Sequence, residues 1–232
     1  MGKYQPKEIG AYTSTEAAHY LRLPISTLKA WTFGQDYKTG KGSSRSFHPV
    51  IQVADVADKL LSFNNLVEIH VLSGFRKMHE IPLPKIRKGL SYVEKKLKTD
   101  RPLLTQKFLT DGLDLFVERS GLLLNVTKEG QFAIRETVEK YLQRIERDPC
   151  GVPIKLYPFS RHAGIEDERK IVIDPNIAFG RPVLVGTGVP TANVFERFLA
   201  GEPIEELAQD FSVDKSLIEE AIRCEQVKAS AA

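Results

Sequence analysis

Cysteine is nearly absent from this chain. Its 232 residues hold two thiols, Cys150 and Cys224, far apart and without C-x-x-C spacing. A disulfide framework and a cysteine-based zinc site are thereby excluded, and the usage suits a reducing compartment. Long apolar runs are missing too, so no stretch offers the roughly 20 residues of a membrane-spanning helix. The N-terminal MGKYQPKEIG lacks the cationic-then-apolar layout of a secretory signal, and a cytoplasmic protein without membrane contact is expected. Charge of one sign is scarce: 33 Lys and Arg against 30 Asp and Glu leave a net +3. Any grip on a polyanion must therefore come from local clustering of charge rather than from the total.

The constellations of catalysis are also missing. No Asp/Glu/His set stands at metal-ligand spacing, and no activated serine or cysteine is recognisable. Gly186-Thr187-Gly188 lacks both the P-loop lysine and the G-x-G-x-x-G spacing. His70 lies beside an apolar stripe with Gly74 at i+4, which is the setting of a packed histidine rather than a ligand. Asp111, Asp114 and Glu118 have no histidine or further acid to join them. Neither an enzyme nor a cofactor is expected.

What is present begins at Ala11–Trp31, AYTSTEAAHYLRLPISTLKAW. Thr13 and Glu16 form a T-x-x-E capping box, so a helix starts there. Ala17, Ala18 and Leu21 share its buried face, and Leu23-Pro24 stops it. Pro24 opens a second helix, on which Ile25 and Leu28 are expected inward and Ser26, Thr27 and Lys29 outward. Two hydroxyls and a cation suit phosphate oxygens and base edges. An ordinary helical hairpin with a polar outer face is the alternative. The next stretch, Gln35–Phe47, carries Lys38, Lys41, Ser43, Ser44 and Arg45 among glycines and serines, between Tyr37 and Phe47. It reads as a two-stranded wing able to lie along a phosphate backbone.

Further on, Val53–Leu61 reads as a helical turn, and Ser62–Asn65 cap a helix over Leu66–Lys77. Pro84 opens a cationic helix with the apolar stripe Ile86, Leu90, Val93 and Leu97. Its lysines form either a solvated face or an extension of a phosphate footprint. Asp111-Gly112 and Arg119–Gly121 read as turns of a small antiparallel meander between Leu104 and Val126. Another helix is expected over Gln131–Arg147, followed by a linker at Asp148–Pro153. A polar connector, Ser160–Glu168, leads to two short strands around a tight turn, within Ile171–Pro175 and Gly180–Thr187. Three helices follow, at Thr191–Ala200, Pro203–Phe211 and Asp214–Arg223. The fold expected is mainly α with small β elements (α+β). It comprises a winged helix-turn-helix over residues 1–62, a bridging and dimerising region over 63–160, and a trihelical unit with a short β-hairpin over 161–232.

Two resemblances follow from these residues. Thr13, Glu16, Ala17, Ala18, Leu21, Leu23, Pro24, Thr27, Leu28 and Trp31 resemble the MerR-type winged helix-turn-helix. That implies a major-groove role for Ser26, Thr27 and Lys29, and phosphate contacts for Lys38, Lys41, Ser43, Ser44 and Arg45. Ile171, Asp174, Pro175, Gly180–Val183, Gly186, Thr187, Val189–Thr191, Gly201 and Glu206 closely resemble the domain-of-unknown-function family numbered 433, an antitoxin-like trihelical fold related to homeodomains. The combination resembles VapB-like type II antitoxins and implies a PIN-domain ribonuclease toxin as partner. This chain departs from the family in having Gly188 where arginine usually follows the G-T pair.

The last three helices are rich in acids, among them Glu202, Glu205, Glu206, Asp210, Glu219 and Glu220. Carboxylates repel phosphates, so this end is expected to meet a basic protein rather than DNA. The expected function is that of a dimeric antitoxin that binds operator DNA as autorepressor and neutralises its toxin by direct contact. The alternative is a stand-alone MerR-like regulator with a ligand- or partner-binding middle region.

Overall fold

A computed structural model describes residues 5–38, 44–77, 83–124, 127–158 and 168–226. After a 3-10 turn at Pro6–Glu8 come α1 (Ser14–Tyr20) and α2 (Ile25–Thr32). The wing consists of β1 (Gln35–Lys38) paired antiparallel with β2 (Ser44–Phe47). Next are α3 (Phe63–Lys77), α4 (Leu83–Leu97), α5 (Leu113–Leu124) and α6 (Lys128–Leu142). A hairpin of β3 (Ile145–Arg147) and β4 (Pro153–Leu156) closes this part. The C-terminal part pairs β5 (Ile171–Val172) with β6 (Val183–Leu184) and ends in α7 (Thr191–Leu199), α8 (Ile204–Asp210) and α9 (Lys215–Gln226). The protein is mainly helical with small β elements. The connector at 160–167 lies outside the described residues.

α3 is the axis of the molecule. Phe63, Leu66, Val67, Ile69, Val71, Leu72 and Phe75 are all fully buried, so the helix is covered on every side rather than along one stripe. Several of its polar residues find partners within the fold. Ser62 accepts from the Asn65 N–H at 3.2 Å and caps the helix. Asn65 donates to the Gln52 carbonyl at 2.7 Å, tying the axis to the chain that follows the wing. Glu68 receives Arg101 at 3.0 and 2.5 Å, and the His70 ring bonds the Tyr141 carbonyl at 3.0 Å. Gly74 lets the Tyr141 ring approach, since a Cβ there would lie 3.0 Å from it. One hydrophobic cluster runs from Tyr12 through α3 to Ile173, and a second fills the three-helix C-terminal part.

Four expectations about local structure are corrected. The segment from Phe108 to Leu124 is not a β-meander but a π-helical turn, Phe108–Gly112, leading into α5. Leu113, Phe116 and Val117 recur at helical spacing and are buried. Phe116 packs against Phe75 with ring centroids 4.1 Å apart. Gly112 is a glycine because a Cβ would fall 2.8 Å from the Phe108 ring and 3.0 Å from Leu97, not because a turn needs positive φ. The helix expected to run to Arg147 stops at Leu142, and Ile145–Arg147 is a strand. The supposed linker Asp148–Pro153 is the turn of that strand's hairpin. There Asp148 Oδ1 accepts the N–H groups of Cys150 and Val152, both at 2.9 Å, and Gly151 takes φ +80°. The stretch Val53–Leu61 is no helical turn either, but a loop closed by a bridge between Asp55 and Leu60.

Candidate nucleic-acid interface

Thr13 begins α1 with a reciprocal capping box. Its hydroxyl accepts the Glu16 N–H at 3.2 Å, and Glu16 Oε2 accepts the Thr13 N–H at 2.9 Å. The helix ends in a Schellman-type turn: Arg22 is left-handed at φ 53°, and the Leu23 N–H returns to the Ala18 carbonyl at 2.9 Å. α2 then packs on α1 through Ala17, Leu28 and Trp31, all at most 1% exposed. The Thr32 hydroxyl donates to the Leu28 carbonyl at 2.9 Å. Opposite this buried stripe, Ser26 and Lys29 are exposed and Thr27 is half-buried. Ile25, expected inward, is instead 40% exposed, because the buried stripe of α2 begins only at Leu28. It widens the outward face by an apolar group of the kind that meets a thymine methyl.

Gly34 at φ +77° turns the chain out of α2 into the wing. The register sets Lys38 opposite Ser44 and Tyr37 opposite Arg45. Lys41 and Ser43, at the tip, lie outside the described residues. The chain leaving β2 is fastened to α2, because the Trp31 carbonyl accepts the N–H groups of both Val50 and Ile51, at 2.8 and 3.0 Å. Arg87 of α4 donates to the Pro49 carbonyl at 3.4 Å, so the cationic helix abuts the base of the wing. α2 is thus tied to the chain that returns from the wing, with Ser26 and Lys29 exposed on its outer side. This geometry can follow a groove and its flanking backbone.

The acidic C-terminal end differs from expectation. Glu220 is only 2% exposed and pairs with Arg223, so it drops out of any contact face. Arg197 stands between Glu202 and Asp210, reaching Glu202 Oε1 at 2.8 Å and Asp210 at 2.6 Å, while its guanidinium lies 5.1 Å from the Phe211 ring centroid. Lys215 holds Glu205 at 2.9 Å. These partners depress the carboxyls of Glu202 and Glu205 below the usual range. Much of the acidity is therefore spent within the three-helix unit, with Glu206 and Glu219 exposed beside it.

What the sequence did not announce is how the two ends meet. Glu225 in α9 is 2% exposed; its Oε2 lies 3.1 Å from the His19 ring, and its Oε1 accepts the Thr191 hydroxyl at 2.7 Å. Arg22 donates to the Arg223 carbonyl at 3.2 Å. Tyr12, whose phenol burial holds in its neutral form, donates to the Gly180 carbonyl at 2.9 Å. No local signal carries the contacts of His19, Arg22 and Tyr12, because their partners lie between 168 and 206 residues away. The Gly186–Gly188 loop is a tight turn in which Thr187 donates to the Leu184 carbonyl at 2.9 Å and accepts the Val189 N–H at 3.1 Å.

This architecture is that of a helix-turn-helix protein. Residues 10–90 match the family described as "Putative DNA-binding HTH domain", and residues 171–223 match "Protein of unknown function (DUF433)". Among individual proteins, the chain is 28% identical to "Putative antitoxin VapB45" of Mycobacterium tuberculosis, with 93% of each chain covered. It is 26% identical to the uncharacterized protein Rv2308 of the same organism, over 91% of this chain and 88% of that one. The crystal structure of Rv2018, also from Mycobacterium tuberculosis, superposes with a TM-score of 0.66 at 25% identity, covering 93% of this chain and 98% of the other. The resemblance to VapB-like antitoxins with an N-terminal helix-turn-helix is thus matched over 93% of the chain, and the putative antitoxin together with the helix-turn-helix family indicates a non-enzymatic regulator.

Proposed function

We propose that this protein is the DNA-binding antitoxin of a type II toxin–antitoxin pair, repressing its own operon from the cytoplasm. The outward face of α2, with Ser26, Thr27 and Lys29, would enter the major groove of the operator. Lys38, Lys41, Ser43, Ser44 and Arg45 of the wing would contact phosphates. A homodimer, with residues 63–160 as bridge, would match an inverted repeat. The C-terminal unit would hold a PIN-domain ribonuclease toxin. Its contact surface is the exposed Glu206 and Glu219, together with Glu202, Glu205 and Asp210 where their local cations can be exchanged for those of the toxin. The observation that carries this reading is the uncovered α2 face braced against the wing, in a chain similar over nearly its whole length to an antitoxin.

The test uses the full chain and the DNA upstream of its own gene. Specific binding is expected, with an affinity that falls steeply with salt. Lys29→Ala and Arg45→Ala should each weaken it about tenfold at unchanged melting temperature. A tagged chain co-expressed with its neighbouring gene should retain the toxin and silence its cleavage of RNA. Equal affinity for operator and random duplex, together with wild-type binding by both variants, would sink the assignment of this face.

A further inference from the structure

Away from the α2 face, an open cavity of about 710 Å³ lies between the Pro6–Glu8 turn, the first turn of α3, the end of α4 and the β3–β4 turn. That volume is within the range of small-molecule sites, roughly 300–1,000 Å³. Its charge is one-sided: Lys7, Lys98, Arg101 and Lys107 line it against the single carboxylate Glu8. Arg101 is committed to Glu68. Lys7 and Lys98 have no ion pair among the described residues.

Three further observations mark the cavity as more than a gap between elements. Arg147 lies behind its wall, with Nη1 donating to the carbonyls of Leu104 and Gly151, two of the lining residues. Its Nε and Nη2 are buried and lack hydrogen-bond partners among the described residues, and burial pulls its pKa down to about 10. A buried guanidinium without a carboxylate is costly, and an anion on the other side of the wall would offset that cost. Asn64, which also lines the cavity, is 5% exposed and has an Oδ1 with no partner among the described residues, an acceptor available to a ligand N–H or O–H. Lys98 ends α4 in the left-handed conformation at φ 52°, a position where glycine would be unstrained. The chain accepts backbone strain there and keeps a lysine among the lining residues.

We propose that this cavity is a binding site for a phosphorylated small molecule of nucleotide size. The lysines would engage the phosphates and the Asn64 amide the remainder of the ligand. This proposal does not rest on the operator or toxin reading, because neither the α2 face nor the acidic helices line the cavity.

Cys150 provides a local reporter, because it lines the cavity and is exposed whereas Cys224 is buried. The full chain is titrated with ADP, GTP and inorganic pyrophosphate at low salt, following the melting temperature and the rate of maleimide labelling at Cys150. At least one probe is expected to raise the melting temperature and slow the labelling severalfold. A response to pyrophosphate as strong as to the nucleotides assigns the site to the phosphates alone. Weaker pyrophosphate binding assigns part of it to the base. In Lys7→Ala/Lys98→Ala the affinity should fall at least tenfold. If that variant melts early, the single substitutions Lys7→Gln and Lys98→Gln are read by the same labelling rate. No response to any of the three at millimolar concentration overturns the proposal. So does a raised melting temperature without protection of Cys150, or a response undiminished in the lysine variants.

Discussion

At the scale of single residues, the most constrained position is Gly180. It combines φ +77° with a place where a Cβ would lie 2.1 Å from the Tyr12 hydroxyl. Sequence motif alone marks this glycine without giving its reason, which is the approach of a tyrosine from the other end of the chain. Gly180→Ala should therefore cost about 3 kcal/mol, summing left-handed strain and overpacking. Tyr12→Phe, which removes only the hydrogen bond, should cost about 1 kcal/mol. Urea unfolding of both variants checks the contrast, and equal costs would show that the close approach is not what holds the glycine. The neighbouring Phe179 is 95% exposed at φ 56°, and nothing in the structure explains why a large apolar side chain stands there.

At the scale of elements, legibility followed the range of the forces involved. The capping box at Thr13, the wing and the three C-terminal helices are set by neighbours within a few residues, and all are readable, whereas α1 ends before Leu23-Pro24, at the left-handed Arg22. The region between Leu104 and Val126 was misread because Asp111-Gly112 is a strong hairpin signal in isolation. There, the packing of Phe108, Leu113 and Phe116 against α3 and α4 outweighs it. The same limit applied to the acidic face, where position in sequence did not reveal that Glu220 is internal or that Arg197 bridges Glu202 and Asp210.

Those ion pairs predict a pH dependence. Hydrogen bonds from Arg197 depress Glu202, those from Lys215 depress Glu205, and those from Ser216 depress Asp214. A carboxyl with a lowered folded pKa stabilises above its unfolded value and loses that contribution as pH falls through the folded one. Melting temperature, followed by circular dichroism from about pH 6 to about pH 3, should thus fall on the acid side. The fall should be shallower in Arg197→Gln, which has already lost the bridge. Since the groups are exposed, added salt should blunt the difference. Parallel curves for the two proteins would show that the bridge is idle.

At the scale of the whole molecule, the chain is not a string of independent modules. The first cluster of buried side chains spans from Tyr12 to Ile173, and Leu156 of β4 exchanges hydrogen bonds with Ile173 at 3.0 and 2.8 Å. The joint between the two ends adds His19 to Glu225. A double-mutant cycle with His19→Ala and Glu225→Ala should return a coupling of about 1 kcal/mol or more. Either single change should also lower duplex affinity by loosening α1 beneath α2. Strict additivity would mean that the contact is incidental.

The Glu225 carboxylate has one oxygen on the N-terminal helix-turn-helix and the other on the first helix of the tail. Whatever docks on the tail and tilts α9 therefore tugs on α1 through a single side chain. Thermodynamic reciprocity then makes the traffic two-way: an occupant that loosens the head's hold on its own ligand tenfold must itself be bound tenfold more weakly by protein already holding that ligand.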